Sequence, residues 1–377
     1  MFRIFIAIGQ TPFDPTSGAA QATLHLAELL AMAGCEVRCL ATTGTEGVFR
    51  GDLPQGNFVE KGVRHQIIPV NPDLKHSWHH LVGAEYDRRF DEWLADFKPH
   101  LVFSFGDEAP DQSRRARTVA SGAKLVFCLH NEHYSGHQPD HVSAFLCPSN
   151  YLAKRYHSFW SGAKNITVLP TPMIPERVLA PTVDPVFVTF INPQPDKGLW
   201  FMIRFAEILG TRYPDIPLRI VEGRATAADF LSAAKSVGVD LGVYPNLFFS
   251  HSVSDIREIW STARILLAPA VWNEPAGRTP VEAMMNGVVP LVSERGGLPE
   301  QVGAAGRVIP LPESLSTRTA TLPPPDDVLP WVQAVAELCH DENHFLAAST
   351  LAIQEAQRFS PEKLAPAYMA FLKGLMI

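Results

Sequence analysis

Residues 271–300 read VWNEPAGRTPVEAMMNGVVPLVSERGGLPE. Two carboxylates, Glu274 and Glu282, stand eight positions apart with Gly277, Arg278, Thr279 and Pro280 between them. Thr279 before Pro280 is the pattern of a helix N-cap followed by proline at the first helical position. Glu274 then falls in the loop entering the helix and Glu282 in its first turn. An apolar strand at 265–268 feeds the loop, another at 288–292 follows the helix, and a Gly296-Gly297 turn closes the segment. Strand, polar loop, helix and strand in that order build a parallel sheet. Ligands bind such a sheet at the carboxyl-end loops, where helix N-termini favour anions.

The alternation extends upstream through strand 186–191, helix 198–209, strand 218–221, helix 226–235, strand 247–249 and helix 255–262. Before it, Pro170, Pro172, Pro175, Pro181 and Pro185 mark a linker. A first alternating set precedes the linker. Residues 2–8 are nearly continuous in apolar character, as in a strand covered on both faces. A helix follows over 19–33 with Ala20, Leu24, Ala27 and Ala31 on one stripe, stopped by Gly34. Its entry, Thr16-Ser17-Gly18, suits phosphate. Further strands are expected at 36–41, 65–70, 101–105, 125–129, 144–147 and 166–169, with Trp78-His79-His80 in a loop. Downstream, residues 307–311 and the Pro-rich TLPPPDD lead into helix only. The last piece, 361–375, carries Leu364, Tyr368, Phe371 and Leu375 on a stripe that needs a surface to cover. The fold class is α/β with two doubly wound parallel-sheet domains, 1–180 and 181–358, and a C-terminal helix over 359–377.

A chain of 377 residues that is 46% hydrophobic suits two such cores. Its net charge of −7 argues against nucleic acid as a partner. Five cysteines, odd in number and without metal spacing, fit a reducing compartment. The N-terminus is too short in apolar residues for a secretion signal, and no run reaches eighteen. A cytoplasmic location is expected, peripheral membrane contact stays open, and oligomeric state is not specified.

Several side chains stand where chemistry could occur. Glu274 and Glu282 serve as an acid/base pair, as grips on ligand hydroxyls, or as plain structure, since Thr279-x-x-Glu282 is also a capping box. Lys197, in the loop FINPQPDKG, either meets phosphate as a point charge or faces solvent. His130 ends a strand where a ligand cleft would open, or is a hydrogen-bonded strand-end histidine. His133, His137 and His141 share its loop, but Gly136 and Pro139 break any helix that would align them on a metal. Walker A, GxGxxG, GxSxG and zinc-finger spacings do not occur.

Taken together, these residues resemble the retaining nucleotide-sugar glycosyltransferases of family 4, which have the GT-B fold. The likeness rests on Glu274 to Glu282 as an E-x7-E element, on Ala283-Met284, on Gly296-Gly297-Leu298-Pro299-Glu300, on Lys197-Gly198 and on Gly18 before a long helix. It implies two Rossmann-like domains facing across a cleft, with the final helix crossing back to the N-terminal domain. The N-terminal domain would take the acceptor and the C-terminal domain the donor. Glu274 would hold donor-sugar hydroxyls and Glu282 the ribose, and the amides of Gly277, Arg278 and Thr279 would face sugar and diphosphate. Gly18 would let the first helix approach the diphosphate, Lys197 would neutralise it, and His130 would meet the sugar. The nucleobase would lie near Glu222 and Val253. Catalysis is then expected of Glu274, His130 and Lys197, with no metal and no cofactor beyond a nucleotide diphosphate sugar, UDP-sugar being slightly favoured. The acceptor would be a small molecule, a glycan or a lipid-linked group. Asn192 stands where the family usually carries an arginine five positions before the lysine, and Ala276 where a bulky residue is usual. A silent nucleotide- or glycan-binding protein, and an inverting transferase or epimerase, are the alternatives on the same fold.

Overall fold

The structure is a computed structural model that describes residues 1–44, 52–71, 78–161 and 165–377. The chain forms two compact units, one of Met1–Ile174 with Phe359–Ile377, the other of Pro175–Arg358.

In the first unit, strands β1 (Arg3–Ala7), β2 (Glu36–Thr42), β3 (Gly56–Glu60), β4 (Val63–Ile68), β5 (Leu101–Ser104), β6 (Lys124–Cys128), β7 (Ala144–Cys147) and β8 (Ile166–Val168) form one sheet in the order β3-β4-β2-β1-β5-β6-β7-β8. Helices α1 (Gly18–Met32), α2 (Trp78–Phe97), α3 (Ala109–Ala120) and α4 (Asn150–Phe159) cover its two faces. The near-continuous apolar run of β1 follows from this. Ile4 and Ile6 face α1, with Leu26 and Leu30, while Phe5 faces α2, with Tyr86 and Phe90. Ser17 caps α1 by accepting from the Ala20 amide, and Gly34 at φ 83° ends it.

Two expectations need correction here. The sheet is not wholly parallel, because β3 pairs antiparallel with β4 as an edge hairpin. Its burial is too shallow to leave an apolar run in the sequence. Trp78-His79-His80 is not loop but the first turn of α2, since the Trp78 ring packs against Tyr86, eight residues on.

The second unit opens with α5 (Pro175–Val178). Strands β9 (Phe187–Ile191), β10 (Leu218–Val221), β11 (Leu247–Ser250), β12 (Ala263–Ala268), β13 (Val289–Val292) and β14 (Arg307–Val308) then run in the order β11-β10-β9-β12-β13-β14, every pair parallel. The helices are α6 (Leu199–Arg212), α7 (Ala227–Ser236), α8 (Arg257–Trp260), α9 (Arg278–Met285), α10 (Leu298–Val302), α11 (Pro325–His340) and α12 (Glu342–Ala356). Val188 and Phe190 of β9 pack with Phe201, Phe205 and Trp331 on one face. On the other, Val221, Trp260 and Ala283 make a smaller core. The sequence overstates α8 and β14, which are four and two residues long.

The closing helix α13 (Pro361–Gly374) belongs to the first unit. Leu364, Tyr368 and Leu372 are buried beside α1, and the Tyr368 hydroxyl donates to the Pro170 carbonyl at 3.0 Å. Leu364 and Tyr368 are buried as the stripe requires, Phe371 and Leu375 pack on the core only partly covered, and Leu372 takes the fully buried place beside them. Both units are Rossmann-like α/β sheets, and the helix that closes the chain returns to the unit in which the chain begins.

Candidate functional site

In the second unit, β9 has β10 on one side and β12 on the other, so the strand order reverses there. Ligands of open α/β sheets bind at such a reversal, outside the carboxyl ends of the strands. The loops leaving β9 and β12 carry Lys197 and Glu274.

The β9 loop begins with Asn192 in the left-handed region at φ 64°, a conformation asparagine tolerates better than most residues. Its Oδ1 accepts from the amides of Arg224 at 2.9 Å and Ala225 at 3.3 Å, and its Nδ2 donates to Gln194 at 2.9 Å. Asn192 therefore ties this loop to the one leaving β10. A short turn over Pro195–Lys197 follows, then Gly198 at φ 101°. A Cβ on Gly198 would lie 2.3 Å from the Pro269 carbonyl, so glycine is what lets the β12 loop pass. The Val271 amide donates to the Asp196 carbonyl at 2.9 Å and locks the two loops together.

That locking brings the Lys197 ammonium onto the Glu274 carboxylate as an ion pair, across 77 positions of sequence. Both side chains are largely but not wholly covered, Glu274 at 12% exposed and Lys197 at 28%. The ammonium also lies 5.1 Å from the centroid of the Trp272 ring. Glu274 is held from behind by the Gly296-Gly297 turn. A Cβ on Gly296 would come within 2.2 Å of the Glu274 carbonyl, and the Gly297 amide donates to that carbonyl at 2.7 Å.

Helix α9 starts earlier than its sequence suggests. Its N-cap is Gly277 at φ 92°, not Thr279, and the capping box between Thr279 and Glu282 does not form. The positive φ of Gly277 turns the chain into the helix two residues sooner, beneath Leu298, whose Cδ2 would be 2.6 Å from a Cβ there. Arg278 and Thr279 thus supply first-turn amides, and Pro280 needs none. Glu282 pairs instead with Arg278 at 3.0 Å, one turn back, each side chain about one-tenth exposed. Burial pulls the Arg278 guanidinium below its usual value, and Glu282 opposes that pull.

At the end of β10, Glu222 accepts from the Ala227 amide at 2.8 Å and pairs with His251 at 2.8 Å. The amide first, then the imidazole, hold its carboxyl below the usual range. Val253 lies against the small core of Val221 and Trp260.

Gly18 and His130 belong to the first unit. Gly18 is the exposed first residue of α1, and a Cβ on it would meet nothing within 4 Å. The packing of the described residues does not demand glycine there. His130 stands two residues beyond β6, edge-on to Phe105 at 5.0 Å between ring centroids. The loop carrying it is firmly anchored. Trp160 donates to the Tyr134 carbonyl at 2.9 Å, Arg155 pairs with Glu132 at 3.1 Å, and Arg115 donates to Asp140 at 3.1 Å. Among the described residues, no three His, Cys, Asp or Glu side chains are grouped to hold a metal ion.

Sequence reasoning passed over Trp272 and Arg115. Trp272 was detectable in principle as an aromatic two residues before the acid. The part Arg115 plays depends on loops that meet only in the fold.

Residues 17–191 match the family described as Glycosyl transferase 4-like domain, and residues 173–348 match Glycosyl transferases group 1. A D-inositol 3-phosphate glycosyltransferase from Corynebacterium kroppenstedtii is 26% identical over 173 residues, a span of 44% of this chain. That match covers 35% of the relative's own length. Among solved structures, a sucrose-phosphate synthase from Thermosynechococcus elongatus superposes with a TM-score of 0.69 at 16% identity, over 99% of each chain. The pneumococcal O-GlcNAc transferase GtfA, in complex with UDP and GlcNAc, gives a TM-score of 0.72 at 10% identity over 100% of this chain and 99% of that one. At such identities these likenesses speak to the fold alone.

Proposed function

We propose that this chain, whose two halves match the glycosyl transferase 4-like and group 1 families, moves a sugar from a nucleotide diphosphate sugar to an acceptor hydroxyl with retention of configuration and without a metal. The observation that carries the reading is the meeting of Lys197 and Glu274 at the strand-order reversal of the second unit.

In the reaction the bond between the anomeric carbon and the diphosphate oxygen breaks, and negative charge develops on the leaving group. Lys197 and the first-turn amides of Arg278 and Thr279 answer that charge electrostatically. Glu274, freed from Lys197, accepts from hydroxyls of the transferred sugar. Glu282 takes the ribose on lone pairs that Arg278 leaves open. Glu222 and Val253 border the nucleobase, and Asn192 keeps the loop after Glu222 in register. The acceptor hydroxyl attacks from the leaving-group face and passes its proton to a diphosphate oxygen, so no side-chain nucleophile is needed. UDP is the favoured base carrier, supported by its presence in the pneumococcal transferase.

Incubation with UDP-, GDP-, ADP- and TDP-sugars, with release of free nucleoside diphosphate as the readout, tests the reading. Release with one base and an anomerically retained product is expected. Binding without turnover for every donor would instead favour a silent binding protein. The use of Asn192 as a loop clamp, where an arginine would have met phosphate, motivates that second reading.

A further inference from the structure

The Lys197–Glu274 pair has a third member that the proposed chemistry does not use. We propose that the indole of Trp272 is a positioning residue, an apolar cradle that keeps the Lys197 ammonium in place when its partner changes from Glu274 to the diphosphate of the donor. The inference rests on reading Lys197 as the diphosphate contact.

The ammonium lies 5.1 Å from the ring centroid, within the range of a cation–π attraction. The ring and the lysine are fixed to each other through backbone. The Val271 and Trp272 amides both donate to the carbonyl of Asp196, the residue next to Lys197, at 2.9 and 3.4 Å. Gly198 on the other side is pinned beneath Pro269. A lysine side chain is flexible, and holding it still costs rotamer entropy. In the resting molecule Glu274 meets part of that cost. Once sugar hydroxyls occupy the Glu274 carboxylate, that hold is weakened, and a carboxylate that shares its lone pairs no longer fixes the ammonium. The aromatic face carries no carboxylate lone pairs for sugar hydroxyls to share, so its hold on the cation is not drawn off in that way. Trp272 therefore supplies the constant part of the hold and Glu274 the exchangeable part. The indole Nε1 is buried with no acceptor among the described residues. Trp is a stronger cation–π partner than Phe, so the ring identity is open to test.

The test uses the whole chain and inorganic pyrophosphate, which carries the diphosphate chemistry without a base or sugar. By titration calorimetry, Trp272→Leu is expected to weaken pyrophosphate about fivefold to tenfold, and Trp272→Phe by about twofold. In a Lys197→Met background the Trp272→Leu effect is expected to vanish. Proton NMR of the wild-type chain is expected to show the Lys197 ε-methylene shifted upfield by the ring, with the shift kept when pyrophosphate is added and reduced in Trp272→Phe. Equal weakening with or without Lys197, no weakening in Trp272→Leu, or an unshifted ε-methylene in the wild type each overturns the inference. Should Trp272→Leu not fold, the wild-type shift and the phenylalanine variant decide it. These readouts need no sugar transfer, so a chain that shows the coupling but releases no nucleoside diphosphate loses the transferase reading alone.

Discussion

Lys197 and Glu274 neutralise one another, so a ligand that engages both must break a partly covered ion pair and replace each half. A diphosphate and a sugar hydroxyl do so together, one presenting charge to the lysine and the other donors to the carboxylate. Glu274→Ala is accordingly expected to cut turnover at least a hundredfold, while nucleoside diphosphate binding stays within about threefold because Lys197 is left free for phosphate. Steady-state kinetics beside calorimetry would show this, and unchanged turnover would remove Glu274 from the chemistry. Glu282 carries a double load. Its removal in Glu282→Ala takes away the carboxylate paired with the buried Arg278 guanidinium, so a loss of about 1–3 kcal/mol in unfolding free energy should accompany weaker nucleotide binding. Denaturant titration of the variant measures the first, and a variant of full stability would mean that Arg278 does not depend on Glu282. Both acids and the lysine were legible in the sequence, Glu274 and Lys197 in loops that follow apolar strands and Glu282 in the first turn of a helix. Their pairings were not. Lys197 meets Glu274 across 77 positions, and Glu282 forsook its expected cap because Gly277 at φ 92° started the helix first. Asn192 was read as a missing arginine, although its left-handed backbone and three hydrogen bonds make it a clamp in its own right.

The elements that present these side chains are short, and glycines set where they end. Gly296 is the most constrained of them, with φ 66° and the Glu274 backbone within 2.2 Å of where a Cβ would stand. Gly296→Ala must therefore push the Glu274 loop off the β13–α10 turn, at a cost of about 2–4 kcal/mol in stability from strain and close contact combined. Turnover should fall with it even at temperatures where the chain stays folded, since the displaced loop carries the acid. Thermal unfolding and kinetics on the one variant check both, and an alanine that leaves activity intact would show that the turn does not position Glu274. The long, strongly periodic elements α1, β9, α6 and α13 could be read from the sequence nearly to their ends. The antiparallel β3 could not, for it is largely exposed and lacks an apolar signal, and α8 was overdrawn because only Ile259 and Trp260 of its four residues are buried.

At the scale of the molecule, the chain begins and ends in the same unit, and α13 reaches it after all the residues of the second unit have been laid down. The amphipathic stripe over 361–375 signalled that such a surface must exist. Nothing in the local pattern identified which sheet would supply it, because an apolar stripe specifies area and not address. The structure answers with the face of β1, β2 and β5 already flanked by α1, where Leu364, Tyr368 and Leu372 fill the space that α1 leaves open. The Met173 amide fixes the crossing by donating to the Phe359 carbonyl at 2.9 Å. Since Leu372 is fully buried, Leu372→Ala should remove about 2–5 kcal/mol by loss of burial and a cavity. That loss falls on the first unit, so hydrogen exchange should quicken in β1, β2 and α1 and leave the amides of β9, β10 and β12 unchanged. Protection lost equally in both sheets would mean that the units unfold as one, and α13 would then hold the whole chain together and not one sheet of it. Protection unchanged everywhere would show that α13 is an accessory cover. The predicted pattern is the one that two separate cores require, each with its own helices on both faces of its own sheet.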